Sequence, residues 1–278
     1  PIAHNFSLSR YIGAFIQLTG ITAIYSGGTV DQWPRNVVSA LMYGAAWAIP
    51  VPDVDRTDFL LMLGANPFDS QGSLLAAPYL MKRLHALRER GGRFIVVDQR
   101  STGTADRADD GIPIQPGTDA ALLLARVQVL VADVEWNKAR LADRVDGLAA
   151  LREMSIDFAP EAVEGTCRIP AARIRELAHG LAKSKQAVVY GRIGTCTQEF
   201  GTLASWLIDV LTILPGNFDE AGGAMFSHPI AWSMLSLRPP EFEDGFELGR
   251  FHSRVRGAPE VLGQFPVSCL AEEIAEPG

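Results

Sequence analysis

Apolar residues along this chain follow two patterns that alternate: short continuous runs, and residues three and four apart. Short continuous apolar runs bounded by glycine, proline or aspartate are typical of buried strands, and they occupy 21–25, 58–63, 93–98 and 186–191. Between them, apolar residues three and four apart predict helices, over about 34–48, 76–90, 170–184 and 202–214, with another beginning at Asp119. Strands that alternate with helices predict an α/β fold, a doubly wound, mostly parallel sheet covered on both faces.

The two ends of the chain differ from this middle part. After Ser227 the sequence is proline-rich and irregular, and we predict no regular element there. The beginning, "PIAHNFSLSR", lacks both an initiator methionine and the charged-then-apolar pattern of a signal peptide. We therefore expect the chain to be a piece of a longer protein.

Composition narrows the classes of function. The 278 residues carry 25 basic and 32 acidic side chains without a long run of either sign, so we expect no nucleic-acid partner. The most apolar segment, 203–214, is interrupted by Asp209 and too short to span a bilayer, so we expect no membrane segment. Cys167, Cys196 and Cys269 lie far apart, so we expect no disulfide framework, zinc site or cysteine-ligated cluster. Reduced cysteines predict a cytoplasmic location.

Polar or glycine-rich turns follow three of the predicted strands, and a fourth such turn follows a short predicted strand that begins at Gly111. In open parallel sheets, ligands collect at the carboxyl ends of the strands, where helix N-termini and free backbone N–H groups converge. The four turns are "GANP" at 64–67, "DQRST" at 98–102, "QPGTD" at 115–119 and "GRIGTCTQEFG" at 191–201. Together they predict one ligand-binding edge.

Individual residues in these turns suit a nucleotide. Gly64 lets a phosphate approach the backbone, and Asn66 can donate an amide proton to it. Asp98 can accept hydrogen bonds from two ribose hydroxyls. Asp119 can accept the two adjacent N–H groups of guanine's Watson–Crick edge, a pairing that rejects adenine. Each also has a structural explanation, because Asp119 favours a helix macrodipole, Asp98 can simply end a strand and Asn66 can hold a turn.

Other chemistry finds less support in the sequence. The chain has no GxGxxG after a strand, no GxxxxGK[ST], no GxSxG and no HExxH, and its five histidines show no metal-ligand spacing. Arg192 and Arg107 can meet phosphates, but a single arginine is usually solvated or ion-paired.

Five motifs, taken in order, resemble one family. "LMLGANP", "FIVVDQRSTGTADRAD", "IPIQPGTDAALLLA", "YGRIGTCTQEFG" and "LPGNFDEAGGAMF" are together similar to the molybdopterin oxidoreductases of the dimethyl sulfoxide reductase family, in particular to formate-dehydrogenase-like members. The resemblance runs from about residue 20 to about residue 230.

The resemblance implies a cofactor and two sets of binding residues. Members of that family hold molybdenum or tungsten between two molybdopterin guanine dinucleotides, one in each of two pseudo-symmetric α/β domains. The resemblance places one of these domains at 20–185, and part of the second domain, with an irregular tail, at 186–278. One dinucleotide would meet Gly64, Asn66, Asp98, Arg100, Gly117 and Asp119. The other would lie near Gly191, Gly194, Gln198, Gly216, Asn217 and Gly223.

The resemblance also implies a metal ligand. "TVDQWP" is similar to the stretch in which formate dehydrogenases have cysteine or selenocysteine followed by histidine, and here Asp31 and Gln32 occupy those positions. Asp31 would then be the catalytic metal ligand. A carboxylate is a harder ligand than a thiolate and suits a high-valent metal with oxo chemistry. This difference argues against formate oxidation. The alternative is that Asp31 caps the helix that begins near Pro34.

These inferences define a function and its rivals. The first hypothesis is a molybdenum- or tungsten-dependent oxidoreductase that transfers two electrons, with a small-molecule substrate and a possible electron-transfer partner; any iron–sulfur cluster would belong to a missing N-terminal part. The second is a non-catalytic scaffold or electron-transfer subunit that keeps the fold. The third is an unrelated α/β nucleotide-binding module.

Overall fold

The computed structural model describes residues 5–70, 72–75, 77–133, 141–227 and 248–277. The chain divides into two compact units. In the described residues the larger unit comprises 31–227, and the smaller one comprises 5–30 together with 248–277. All of the predicted site residues belong to the larger unit.

Helices and strands alternate along much of the described chain. In chain order the strands are β1 (Tyr25–Ser26), β2 (Pro50–Pro52), β3 (Phe59–Leu63), β4 (Arg93–Asp98), β5 (Asp110–Pro113), β6 (Ala187–Gly191), β7 (Ala224–Phe226) and β8 (Phe265–Pro266). The α-helices are α1 (Phe6–Thr19), α2 (Trp33–Tyr43), α3 (Pro67–Ser70), α4 (Leu80–Glu89), α5 (Asp119–Asp133), α6 (Leu148–Ser155), α7 (Pro160–Cys167), α8 (Ala171–Lys183), α9 (Ile193–Cys196), α10 (Gly201–Ile213) and α11 (Leu270–Ala275). Among these described residues no helix is long and apolar enough to cross a lipid bilayer.

The central sheet has four parallel strands in the order β5-β4-β3-β6. Leu61 of β3 is paired with Ile95 on one side and Val189 on the other. Since both neighbours of β3 are parallel to it, each connection must cross over a face of the sheet. The predicted α/β fold with a parallel sheet is confirmed.

Apolar side chains pack on both faces of this sheet. Leu61, Leu63, Ile95 and Val97 join a core built with α5, α7, α8 and α10. The alternate residues of the same strands, including Leu60 and Val96, face a second core with α4 and β7. Strands buried on both faces read as continuous apolar runs, which is why the sequence showed them clearly.

The predicted domain boundary does not match the structure. We placed one domain at 20–185 and another from 186, but β6 pairs directly with β3 along its whole length. The boundary would therefore cut through a hydrogen-bonded sheet. The physical reason is that the long helical stretch between β5 and β6 is a crossover within one sheet, and the chain returns to the free edge of β3 after it.

Some element predictions were also wrong in detail. The expected strand at 21–25 forms only at its last residue, because Tyr25–Ser26 pairs with Phe265–Pro266 in the smaller unit and not with the central sheet. That pairing and α11 are regular elements in a tail that we predicted to be irregular. Helix α2 ends at Tyr43, before the predicted Ala48, because Gly44 adopts a left-handed conformation and closes it.

Candidate functional site

The loops after β3 and β6 meet at the point where the strand order reverses. The Gly194 N–H donates a 3.0 Å hydrogen bond to the Gly64 carbonyl. A Cβ added to Gly64 would lie 2.7 Å from the Gly194 Cα, and one added to Gly194 would lie 2.7 Å from the Gly64 Cα. Any side chain here would separate the two loops. Ligands of open α/β sheets bind at this kind of switch point.

Asp119 and Gln198 meet at the same edge of the sheet. The Gln198 Nε2 donates to Asp119 Oδ2 at 2.9 Å and to the Thr195 carbonyl at 3.1 Å. Asp119 is buried at the first position of α5. The sequence assigned these residues to two different dinucleotides, but the structure brings them to one site. Gln198 Oε1 is buried and has no hydrogen-bond partner in the described part of the chain.

The environment of Asp119 opposes its negative charge. Burial raises the pKa of the Asp119 carboxyl, and the nearby charge of Asp98 raises it further. The hydrogen bonds from Gln198 and from its own backbone N–H partly oppose this shift in pKa. The site therefore presents acceptor oxygens with too few donors, and a ligand with N–H groups would complete it.

Asp98 is the last residue of β4 and lies near Asp119. Its Oδ1 accepts a 3.2 Å hydrogen bond from the Arg100 backbone N–H, which fixes the turn after the strand. The Asp98 side chain stays partly exposed, and Arg100 is exposed. Asp98 therefore keeps oxygens free to meet a ligand, while the role of Arg100 stays a prediction.

Asn66 is held in its own loop. Its Nδ2 donates to Asp69 at the end of the short helix α3, and its Oδ1 accepts a 2.7 Å hydrogen bond from the Thr104 hydroxyl. This joins the loop after β3 to the loop after β4 and supports the turn-holding explanation of Asn66, whose contact with a nucleotide stays a prediction. Thr104 is fully buried and was not identified from the sequence, because an isolated threonine carries no distinctive pattern.

Gly117 forms the exposed turn before α5. It has a φ of +80°, and a Cβ built on it would meet no atom within 4 Å. Thr118 follows, but its hydroxyl donates to the Gln115 carbonyl at 2.7 Å. Helix α5 begins at Asp119, as predicted, so Asp119 lies beside unpaired N–H groups of a helix N-terminus.

The second predicted set of residues does not form one cluster. Gly191 ends β6 and packs against α10, since an added Cβ would lie 2.1 Å from Ile208 Cδ1. Gly216, Asn217 and Gly223 belong to the turn between α10 and β7.

This turn lies at the opposite end of β6 from Gly191. Gly222 packs against Gln186, the residue before β6, and Gly223 packs against the Asn217 carbonyl. Five strand residues separate the two ends, a distance of roughly 16 Å. Gly216, Asn217 and Gly223 lie in this turn, and their contact with a dinucleotide stays a prediction.

Asp31 lies in the turn before α2 and is partly exposed. Gln32 occupies the N-cap position of α2, and the helix has no side-chain cap, so the capping alternative for Asp31 is wrong. Asp31 has no hydrogen bond or ion pair to any residue within the described ranges. Those ranges also contain no group of three or more histidine, cysteine, aspartate or glutamate residues placed to bind a metal ion.

Comparison with known proteins decides the family. The family model described as molybdopterin oxidoreductase matches residues 7–235, most of the chain. The chain belongs to the molybdopterin oxidoreductase family. Formate dehydrogenase H of Escherichia coli (strain K12) is 29% identical over 219 residues, covering 78% of this chain and 29% of that protein. The dimethyl sulfoxide reductase DmsA of Haemophilus influenzae is 26% identical over 224 residues, covering 73% of this chain and 28% of that protein.

Two further proteins extend the comparison. A menaquinone reductase, molybdopterin-binding-like subunit, of Nitratidesulfovibrio vulgaris is 29% identical over 79% of this chain and 30% of its own length. The structure of acetylene hydratase from Pelobacter acetylenicus has a TM-score of 0.66 over 82% of this chain at 22% identity, which establishes a shared fold. This chain spans less than a third of the length of each of these relatives.

The residues at the sheet edge fit one end of a molybdopterin nucleotide. The buried Gln198 Oε1 without a partner and the buried Asp119 carboxylate require donors, which a guanine ring offers. The helix N-terminus beside them favours negative charge. The fit to this family's cofactor therefore rests on the chemistry of the acceptors present at this edge.

Proposed function

We propose that the chain is the part of a molybdenum- or tungsten-dependent oxidoreductase that binds a molybdopterin guanine dinucleotide at the carboxyl edge of its sheet. The Gln198–Asp119 hydrogen bond carries this proposal, because it fixes two buried acceptors on one edge. Gly64 and Gly194 hold the two loops together behind them.

Guanine suits this edge better than adenine. Its Watson–Crick edge presents N1–H and N2–H side by side, and an ionised Asp119 offers two acceptor oxygens to them. Gln198 Oε1 is a further buried acceptor, and its side chain lies next to the same carboxylate. Adenine presents one donor beside an acceptor, so one oxygen would face a lone pair. Asp98, partly exposed at the end of β4, is proposed to accept from the ribose hydroxyls.

The other predicted residues have supporting roles in this proposal. Gly117 is exposed with free space beside its Cα, so a phosphate can approach its backbone, and Arg100 is exposed at the same edge. When bound, the metal and its dithiolenes supply the two-electron chemistry. Asp31 is proposed as a protein ligand to that metal, since its carboxylate is not engaged elsewhere in the described chain and hard oxygen donors suit a high-valent ion.

A second candidate is a non-catalytic subunit that keeps the fold. A relative named as a molybdopterin-binding-like subunit of a menaquinone reductase favours it. The absence of a thiol at position 31 favours it too, because the resemblance places cysteine or selenocysteine there in formate dehydrogenases. Fold and function separate readily in large families.

Metal and cofactor analysis of the full-length protein distinguishes the candidates. The enzyme proposal predicts stoichiometric molybdenum or tungsten with pterin that releases GMP on hydrolysis. Replacing Asp31 by Ala should lower turnover and perturb the electron paramagnetic resonance signal of the metal, whereas Asp146→Ala, on an exposed loop, should change neither. Folded protein without metal or pterin would support the non-catalytic candidate.

The remaining expectations concern the longer protein. A small-molecule substrate, an electron-transfer partner and an iron–sulfur cluster in another segment are proposed from the redox chemistry of relatives named as reductases and dehydrogenases. The three cysteines are free and buried. A cytoplasmic location stays a prediction from the sequence.

A further inference from the structure

A buried hydroxyl joins the loop after β3 to the loop after β4. Thr104 has no exposed surface, and its Oγ1 makes two hydrogen bonds to the loop after β3. It accepts from the Phe68 backbone N–H at 3.2 Å and donates to Asn66 Oδ1 at 2.7 Å. Because a hydroxyl has one hydrogen, that hydrogen is committed to Asn66. One side chain therefore fixes both a backbone group and a side chain of the neighbouring loop.

The two ends of the Asn66 amide face different partners. Its oxygen accepts from the Thr104 hydroxyl, and its nitrogen donates to the Asp69 carboxylate. Rotating the amide by half a turn would place its oxygen against a carboxylate and leave the buried hydroxyl without an acceptor. Both changes cost free energy. The Asn66 amide is therefore held in one orientation.

This orientation leaves a donor at the carboxyl edge of the sheet. The Asn66 amide nitrogen carries two hydrogens, and Asp69 is its one acceptor among the residues that the structure describes. Asn66 is half-buried in the loop directly after β3, whereas Asp69 is exposed. Because the buried Thr104 lies at the oxygen end, the nitrogen end is the one that a ligand at this edge can reach.

A second contact supports the connection between the two loops. The Arg107 guanidinium carbon lies 4.4 Å from the centroid of the Phe68 ring, a distance at which a cation attracts an aromatic face. Arg107 Nη1 also donates to the Gly103 carbonyl at 3.0 Å. The segment that carries Thr104 is therefore tied to the loop after β3 on both sides of its hydroxyl.

We propose that Thr104 is a positioning residue, which turns the Asn66 amide so that its nitrogen and not its oxygen faces the ligand. The inference rests on the proposed function, since the ligand is the guanine nucleotide bound at this edge. That ligand supplies an acceptor oxygen, from its phosphates or from its nucleoside. Without the Thr104 hydroxyl the amide is free to present its own oxygen, which would repel such an acceptor.

Titration of GDP into the full-length protein freed of its cofactor tests this role. Thr104→Val keeps the shape of the side chain and removes the hydroxyl. It should bind GDP at least about fivefold more weakly, the loss expected for one hydrogen bond. Thr104→Ser keeps the hydroxyl and should bind like the wild type. Thr166→Val removes a hydroxyl from an exposed position of α7 and should also bind like the wild type.

A double-mutant cycle separates positioning from a general loss of structure. Asn66→Ala should weaken GDP binding by a similar factor. Adding Thr104→Val to it should cause no further loss, because the group that Thr104 orients is gone. An equal effect of Thr104→Val with and without Asn66 would overturn the inference.

Guanosine titrations identify the acceptor. If Thr104→Val weakens GDP but not guanosine, the acceptor is a phosphate oxygen. If it weakens both equally, the acceptor belongs to the nucleoside. Either result supports the positioning role.

Failure of this inference differs from failure of the proposed function. If the wild type binds GDP and Thr104→Val binds it equally well, the inference is wrong and the proposed function stands. If the wild type does not bind GDP, both are wrong. If Thr104→Val does not fold, Asn66→Asp still accepts from Thr104 but has no donor to offer. Unchanged GDP affinity in Asn66→Asp would also refute the inference.

Discussion

The Gln198 amide donates a 2.9 Å hydrogen bond to the Asp119 carboxylate across 79 residues of chain. This contact joins the loop after β6 to the first residue of α5. Because β5 and β6 are parallel strands of one sheet, the segments that follow them lie at the same edge. The bond gives Asp119 a fixed orientation and leaves a second buried acceptor, Gln198 Oε1, beside it.

Replacing Asp119 by Asn should separate ligand binding from stability. The variant loses one acceptor and gains a donor, so GMP should bind at least about tenfold more weakly and the preference for GMP over AMP should disappear. Titration of both nucleotides into the protein measures this. The exposed Asp146→Asn serves as the matched control and should keep wild-type affinity. Unchanged selectivity in Asp119→Asn would exclude a base-reading role for this carboxylate.

The same carboxylate predicts a pH dependence of stability. Burial raises the pKa of Asp119 in the folded state, above its value of about 4 in an unfolded chain. Its contribution to stability is therefore complete below about pH 4 and is lost as the pH rises through the folded pKa. Urea unfolding of wild type and Asp119→Asn from about pH 4 to about pH 7 should show the variant gaining relative stability with pH. A difference independent of pH would contradict the raised pKa.

Gln198 should affect the pH at which Asp119 ionises. Its hydrogen bond lowers the pKa of Asp119 against the effect of burial. In Gln198→Ala the pKa of Asp119 should rise further, so that GMP binding, which requires the ionised carboxylate, begins at a higher pH. The pH profile of GMP affinity measures the shift. A profile identical to that of the wild type would mean that Gln198 does not act through Asp119.

The glycine contact at the switch point predicts a large effect of a single methyl group. Gly194→Ala would place a Cβ 2.7 Å from the Gly64 Cα, and we expect it to lower the free energy of unfolding by about 1–3 kcal/mol. Gly165→Ala adds the same methyl group within α7, where no atom lies within 4 Å, and should raise it by about 0.5–1 kcal/mol. Equal effects in chemical denaturation would show that the loops do not touch.

The buried pair of Arg35 and Asp209 should contribute strongly to stability. Arg35→Met leaves the Asp209 carboxylate buried with only the Tyr43 hydroxyl as partner. We expect a loss of about 3–5 kcal/mol in the free energy of unfolding. Arg175→Met breaks an exposed pair with Glu161 and should leave the free energy of unfolding nearly unchanged, because water screens that pair. A small loss in Arg35→Met would indicate that water reaches this pair.

Sequence patterns identified the central sheet because its strands are buried on both faces. The runs around Leu61, Ile95 and Val189 are apolar without interruption, and each forms a strand. The pairing of β6 with β3 escaped prediction, because periodicity reveals an element but not its neighbour. The domain boundary at 185 failed for that reason.

The candidate site, like the fold, could be predicted only in part from the sequence. Asp119 and Asp98 follow from their place at strand ends, and the structure puts them close enough for their charges to interact. The contact between Asp119 and Gln198 depends on the order of strands, which no local pattern carries. Arg192 was set aside as a single arginine, since its burial and lack of partners become visible only in three dimensions.

A crystal structure of the full-length protein loaded with its cofactor tests the proposed site. The guanine ring should lie against Asp119, with its N1 and N2 atoms within about 3.2 Å of the carboxylate oxygens and Gln198 at its side. A guanine bound away from Asp119, or a pterin without a nucleotide, would contradict the proposal.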